Sequence, residues 1–553
     1  MMLLSLTPWI PAGLDLRMFA PELALIATIV AVLVVPLVLG RSGRTAAFIS
    51  LIGALATFLL TWRAVAGQVV ERGYAGLSPD PQATMLVADN FSVFFKLFLS
   101  AFLALIIGLW LLRPANGRGA AGVHGGSAGP EFFVLLLSSA LGMALMVGTL
   151  NLLVMVIAIE MASLPSYALV GSDKRSRPGA EASLKYVLFG AATSSIMVYG
   201  LSLIYGAFGT LDIAGIAGKL AGQSVSLGWV PAIGFFALCV GIAFKISAVP
   251  FHFWCPDVFE GAPIEVTTWL SVASKAAGLG LLLRIVYALS TAVGGAAWLT
   301  PFAWGIGLVA AVTCTVGNLA ALRQDSVKRM LAYSSIAHAG YMMMAAAIFT
   351  QAGQGQFMSI GLAAVIAYLM VYFVMNLGAF GVTALVSWRT GTDHISAFTG
   401  LGRRAPALAL PMAVCLFSLI GLPPLGGFAA KWWLLLALGK AAIAAQPWLW
   451  GLVIVAVINT AISLYYYVRV IRQMYLCEDE RQSAVPAPLG GVVLVNVCAV
   501  ALLLLGTLLI DKLGNYSTYY ASNLLVTQPT APATATVEPS AEPVVMAPVN
   551  ESK

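Results

Sequence analysis

Apolar residues run along this chain in blocks of about twenty, the length with which a helix crosses the hydrocarbon core of a bilayer. Fourteen blocks can be counted, near 22–40, 46–63, 91–112, 132–148, 150–170, 184–206, 230–250, 264–287, 302–321, 329–349, 358–387, 408–438, 447–473 and 488–510. They predict an all-α polytopic membrane protein with about 14 transmembrane helices. Two blocks contain proline close to a lysine: Pro250 in FKISAVPFHFW, and Pro423 with Pro424 in CLFSLIGLPPLGGFAAKWW. Proline donates no backbone hydrogen bond and leaves a helical carbonyl without its partner. Each site therefore predicts a broken helix. Such breaks are tolerated at membrane depth only where protein or internal water satisfies the freed backbone, and they mark ion and substrate sites.

Composition agrees with this pattern, since 60% of the 553 residues are hydrophobic and 9% charged, too few for a soluble fold of this size. Each charge inside a block then carries information, because a lipid-facing charge costs about 2.5 to 3.5 kcal/mol on insertion scales. Glu160 lies within NLLVMVIAIEMASLPSYALV, and Lys245, Lys275 and Lys431 lie in the seventh, eighth and twelfth blocks. A buried carboxylate stays ionised beside an ammonium group, so Glu160 is expected to have a lysine partner. Thr268, Ser271 and Lys275 fall at helical spacing and predict a polar stripe. Further stripes are Ser334, His338 and Tyr341; Tyr368, Tyr372 and Asn376; and Asn459 and Ser463. Singly these read as glue between membrane helices, and together as a wet interior. Lys185 fits an interfacial or a pathway role equally. His252, seven residues after Lys245, fits packing or proton relay, and shares the lysine's face if the helix continues past the proline. Asp89 and Lys96 are expected to be interfacial anchors.

The basic residues sort by side. Loops after odd-numbered blocks hold sixteen Lys and Arg, whereas the opposite side, counting Arg284 among its loop residues, holds eight. Basic loops remain in the cytoplasm, which places both termini on the other side. The net charge of +7 is thus a topology signal, and no basic patch or motif supports nucleic-acid binding. Six cysteines show no spacing suited to zinc or an iron–sulfur cluster, and no nucleotide fingerprint is present, so no metal, cofactor or redox centre is expected in this chain. The first block reads as a retained span. The stretch 114–130 reads as a flexible connection, and the Pro-, Ala- and Thr-rich tail as disordered.

Broken helices with lysines in both halves suggest two inverted five-helix repeats. The division expected is three N-terminal spans with their loop (1–130), a first repeat (131–290), a second repeat (291–480), a final span (481–520) and the tail (521–553).

Glu160 in the fifth span, FKISAVPFHFWCPDVFEGAP with Lys245, the ASK of Lys275, and GLPPLGGFAAKWW with Lys431 together resemble the subunit N family of the proton-pumping NADH:quinone oxidoreductase, respiratory complex I. The resemblance covers nearly all of residues 1–520. It implies an antiporter-like translocase subunit driven by quinone reduction elsewhere in the complex. It also implies pairing of Glu160 with Lys245, involvement of Lys185, a central relay at Lys275 and proton exchange at Lys431. NADH, FMN, iron–sulfur clusters and quinone would belong to partner subunits. The partners implied are other membrane-arm subunits, the lipid bilayer and protons. The membrane would be the bacterial inner membrane or, as the alternative, that of an energy-coupling organelle. A subunit of a multi-subunit cation/proton antiporter or membrane-bound hydrogenase is the competing assignment, and a purely structural membrane scaffold is the other.

Overall fold

The computed structural model describes residues 13–66, 74–76, 85–113, 129–222, 228–292, 299–350, 355–444, 446–478, 485–522 and 524. Most of the stretch 114–130 and nearly all of the tail lie outside them.

A short α1 (Gly13–Met18) leads into α2 (Ala20–Leu39) and α3 (Gly43–Ala66). The antiparallel pair β1 (Tyr74–Gly76) and β2 (Leu86–Ala88) precedes α4 (Asn90–Leu111). Next come α5 (Pro130–Val147), α6 (Leu152–Val170), α7 (Arg177–Phe208), α8 (Ile213–Gly222) and α9 (Trp229–Ile246). They are followed by α10 (Trp254–Gly261), α11 (Ile264–Trp269), a π turn over Leu270–Ser274, and α12 (Lys275–Ala292). The second half contains α13 (Leu299–Ala321), α14 (Val327–Met344), α15 (Gly355–Thr390), α16 (Leu401–Arg404) and α17 (Pro406–Ile420). It closes with α18 (Gly426–Ala444), α19 (Leu449–Tyr475), α20 (Leu489–Gly506) and α21 (Ile510–Ala521).

Each predicted block falls on helical structure, the eighth on α11, the π turn and α12 and the twelfth on the pair α17 and α18. Among the described residues, thirteen helices are long and apolar enough to cross a membrane. The helix α14 has comparable length but carries Lys328, Arg329, Ser334, Ser335 and His338, and most of it is enclosed by neighbouring helices. The chain ends its helices by local chemistry. Asn151, Ser176 and Ser326 cap α6, α7 and α14 through their side chains, occupying backbone N–H groups that the first turn leaves unpaired.

Both predicted breaks are present. Helix α9 stops at Ser247, whose φ of 66° is left-handed, and helical structure resumes at Trp254 after Pro250. Helix α17 stops at Gly421, φ 89°, and α18 begins after Pro423 and Pro424. A left-handed residue at the C-terminal cap turns the chain out of the helix before the prolines are reached. The axial segment from α11 through α12 is almost wholly enclosed by protein, whereas α2, α3, α7 and α20 leave many apolar side chains exposed.

Three charges assigned to interfaces or loops lie inside instead. Arg284 and Asp89 are both fully buried and form a two-pronged ion pair, with Nη1 to Oδ2 and Nη2 to Oδ1 each at 2.9 Å. Arg284 Nε also donates to the carbonyl of Val147, so the pair fastens α12 to the ends of α4 and α5. Lys96 is likewise buried and pairs with Glu22 at 2.6 Å. None of these pairings follows local periodicity, because the partners come from distant segments.

Candidate functional site

Lys245, Lys275 and Lys431 are enclosed, with exposures of 0%, 0% and 7%. All three stand beside an irregularity in a helix, and their surroundings differ.

Lys245 lies at the end of α9, two residues before Ser247. Its Nζ donates to Ser163 Oγ at 3.1 Å. Ser163 stands on α6 three residues beyond Glu160, so the acid and the base expected to partner it come from packed elements. The two are nevertheless not in ion-pair contact: the Glu160 carboxylate accepts a hydrogen bond from Ser194 on α7. Glu160 is half-buried and lines up with the exposed Leu153, Ile157 and Leu164, which places it on the outward apolar face of α6.

Lys275 follows the π turn of Leu270–Ser274, a local widening that inserts an extra residue into the helical register. Its Nζ lies 3.5 Å from Cys255 Sγ and faces the rings of Trp254 at 5.1 Å and Phe259 at 4.8 Å. All three neighbours belong to α10, the short helix after the Pro250 break. Aromatic faces attract a cation without supplying a negative charge. The predicted stripe below Lys275 is turned to the backbone, with Thr268 donating to the Ile264 carbonyl and Ser271 to that of Thr268.

Lys431 follows the second break in sequence but closes it in space. Its Nζ donates to the carbonyls of Leu419 at 3.1 Å and Ile420 at 2.9 Å, and lies 4.7 Å from the ring centre of Tyr341. The last carbonyls of a helix lack intrahelical donors and carry partial negative charge, which the ammonium group meets at the end of α17.

Helix α14 spans the distance between the last two lysines. Ser335 Oγ is 3.9 Å from Cys255 Sγ. His338 bonds Tyr368 Oη through Nδ1 at 2.8 Å and approaches Tyr467 Oη through Nε2 at 3.5 Å. Ser334 also bonds Tyr467, and Tyr341 reaches Thr460. Tyr466 donates to Asn318, which in turn donates to Asn459. The stripes at Ser334, His338, Tyr341 and Tyr368 therefore converge. Asn376 and Ser463 instead donate to carbonyls of their own helices.

Lys185 stands apart from the enclosed row, in a partly exposed cluster. It pairs with Glu181 at 2.7 Å and Asp257 at 2.8 Å, while Asp257 also meets Arg329 at 2.9 Å. Arg329 pairs with Glu260 as well. These bonds tie α7, α10 and α14 together on one side of the bundle. His252 does not continue the face of Lys245, because the helix ends before it. It is buried against Phe253, and Nδ1 has no hydrogen-bond partner among the described residues. Burial lowers its pKa from the ordinary imidazole value, opposed by a bond with the Pro250 backbone.

Several polar participants escaped prediction. Ser163, Ser194, Tyr467 and Asn318 belong to helices whose pairing has no signature in local spacing. Cys255 had one available signal, its place directly inside the WCPD stretch after the break.

A helical membrane bundle with two broken helices, enclosed lysines and a polar seam between them is an antiporter-like membrane protein. Residues 149–463 match the family model described as NADH:quinone oxidoreductase/Mrp antiporter, transmembrane region, and the chain belongs to this family. NADH-quinone oxidoreductase subunit N of Anaeromyxobacter sp. is 40% identical over 511 residues, covering 88% of this chain and 93% of that protein. A chain of respiratory complex I from Thermus thermophilus, solved with bound aureothin, superposes with a TM-score of 0.70 at 31% identity, covering 90% of this chain and 98% of that one. A chain of the Mrp complex from Dietzia sp. has a TM-score of 0.76 at 21% identity, covering 92% and 97%, and shows the shared fold alone.

Proposed function

We propose that this chain is a membrane-arm, proton-translocating subunit of an NADH:quinone oxidoreductase, coupling quinone reduction elsewhere in the complex to proton movement through the bilayer. The observation that carries the reading is the enclosure of Lys245, Lys275 and Lys431 beside helix irregularities, with hydroxyl, thiol and imidazole groups between the latter two. The likeness to subunit N in sequence supports the oxidoreductase over a cation/proton antiporter, since the Mrp resemblance is one of fold.

The finer reading is a relay in which Glu160 and Lys245 form the switch, Lys275 the midpoint, His338 the bridge and Lys431 the far end. Enclosure favours the neutral form of a lysine, and an approaching carboxylate favours the charged form. Movement of Glu160 relative to Lys245 therefore changes the lysine's hold on a proton. The hydrogen bonds to Ser194 and Ser163 support an open position of that switch. Lys185 sits at the rim, where its ion pair with Asp257 holds α10 near α7 and its pair with Glu181 lies within α7.

The two breaks, each begun by a left-handed residue, support inverted repeats over 131–290 and 291–480, preceded by the spans of 1–130 and followed by that of 481–520. Partner membrane-arm subunits would cover exposed apolar helix faces. NADH, FMN, iron–sulfur clusters and quinone are assigned to other subunits. The bacterial inner membrane, with both termini on the non-cytoplasmic side, fits the distribution of basic loops.

The test is proton pumping coupled to NADH oxidation in the assembled complex carrying Lys275→Ala or Glu160→Gln. Loss of pumping with normal assembly is expected. Unchanged pumping removes the relay.

A further inference from the structure

We propose that the thiol of Cys255 carries protons between Lys275 and the second half of the chain. This rests on the translocation reading above and adds a group that the lysine row does not contain.

A lysine that changes protonation needs an atom with which to exchange the proton. Among the described residues, Cys255 Sγ at 3.5 Å is the hydrogen-bonding atom within reach of Lys275 Nζ. Trp254 and Phe259 offer ring faces, which hold a cation but take no proton. On its other side Sγ lies 3.9 Å from Ser335 Oγ on α14. Cys255 is fully buried and therefore stands between two polar groups on different helices. Ser335 Oγ donates to the carbonyl of Ala332 on its own helix at 2.8 Å, and three residues further along α14 His338 meets Tyr368 and Tyr467. The sulfur thus occupies the gap between the central lysine and the polar seam leading to Lys431.

The chemistry suits the position. A thiol donates and accepts weakly, and it ionises more readily than a serine hydroxyl. Cys255 passes its S–H proton to Ser335 Oγ as the serine releases its own hydroxyl proton, through a water molecule, to the imidazole of His338 on α14, which becomes imidazolium. The thiolate left behind takes a proton from the Lys275 ammonium group, which breaks an N–H bond, restores S–H and leaves a neutral amine. One proton moves from Nζ to α14, and no electron changes hands.

A space-filling cysteine would make different demands, because the apolar methyl of alanine would satisfy packing as well as a hydroxyl does. The experiment compares Cys255→Ala, Cys255→Ser and Lys275→Ala in the assembled oxidoreductase, reconstituted in sealed vesicles. Protons pumped per NADH oxidised are measured, together with the infrared S–H stretching band during turnover. Cys255→Ala is expected to lose this subunit's share of the pumped protons, and Cys255→Ser to recover part of it. The S–H band should respond to turnover in the unaltered complex and in Cys239→Ala, and fail to respond in Cys255→Ala. Normal pumping by Cys255→Ala with an unchanged S–H response, while Lys275→Ala abolishes pumping, overturns the thiol's role and leaves the lysine row intact. Normal pumping by Lys275→Ala overturns the underlying reading as well. If Cys255→Ala does not assemble, an S–H response in the unaltered complex that persists in Cys239→Ala supports the proposal, and a silent band overturns it.

Discussion

Lys245 donates to Ser163, one turn beyond Glu160 on α6, while Glu160 is held by Ser194 on α7. Two serines thus keep a carboxylate and an ammonium group on neighbouring helices from meeting. Replacing either serine should move the balance toward the direct pair. Ser194→Ala frees Glu160, and is expected to slow NADH-driven pumping while leaving quinone reduction less affected. Ser163→Ala leaves a buried ammonium without its acceptor, a loss of about 1–3 kcal/mol or more unless Glu160 replaces it. Pumping and quinone reduction measured on the same vesicles separate these outcomes, and identical ratios in both variants would refute the switch.

The Asp89–Arg284 pair predicts a purely structural phenotype. Removing one partner of a buried ion pair strands the other and costs about 3–5 kcal/mol. Arg284→Ala should therefore reduce the thermal stability of the detergent-extracted complex or prevent its assembly. Complexes that do assemble should retain the unaltered ratio of protons to electrons.

At the second break the limit is steric. A Cβ added at Gly427 would stand 1.8 Å from the Ser418 carbonyl oxygen, so α17 and α18 would have to part. Gly427→Ala should displace Lys431 from the end of α17 and lower pumping, whereas Gly439→Ala, whose nearest contact would be Trp450 at 3.7 Å, should be tolerated. Equal pumping by the two variants would contradict this geometry.

His252 gives a dependence on pH. Its folded pKa is lowered, so the neutral ring contributes stability above the ordinary imidazole range, and that contribution is lost as pH falls through and below about 6.5. The slope cannot exceed about 1.4 kcal/mol per pH unit for one proton. His252→Phe should flatten the acid side of a melting-temperature profile of the complex. A profile as steep as that of the unaltered protein would assign the effect to other groups.

Helix positions were legible because about twenty apolar residues in a row leave few alternatives to a span. The breaks were legible for the same local reason, since Pro250, Pro423 and Pro424 act on their own backbone. What local patterns could not supply was partnership. Asp89 and Arg284 meet across 195 positions, and Glu160 and Lys245 choose serines that only helix packing brings near. The π turn before Lys275 was equally hidden: LSVAS contains neither proline nor glycine, and the register shift arises in the packed structure. Polar stripes on α14 and α15 were recognisable, but their convergence on Tyr467 required the placement of α19.

The polarity of α14 bears on how the protein is made. A segment with Lys328, Arg329, Ser334, Ser335 and His338 gains much less from lipid than its neighbours do. Its stability comes from α13, α10 and the later helices that enclose it. During synthesis this stretch therefore cannot settle in the bilayer by its own hydrophobicity. Its retention in the membrane is expected to need α13 beside it, together with Tyr368 of α15 and Tyr467 of α19, which bond its imidazole and hydroxyl groups.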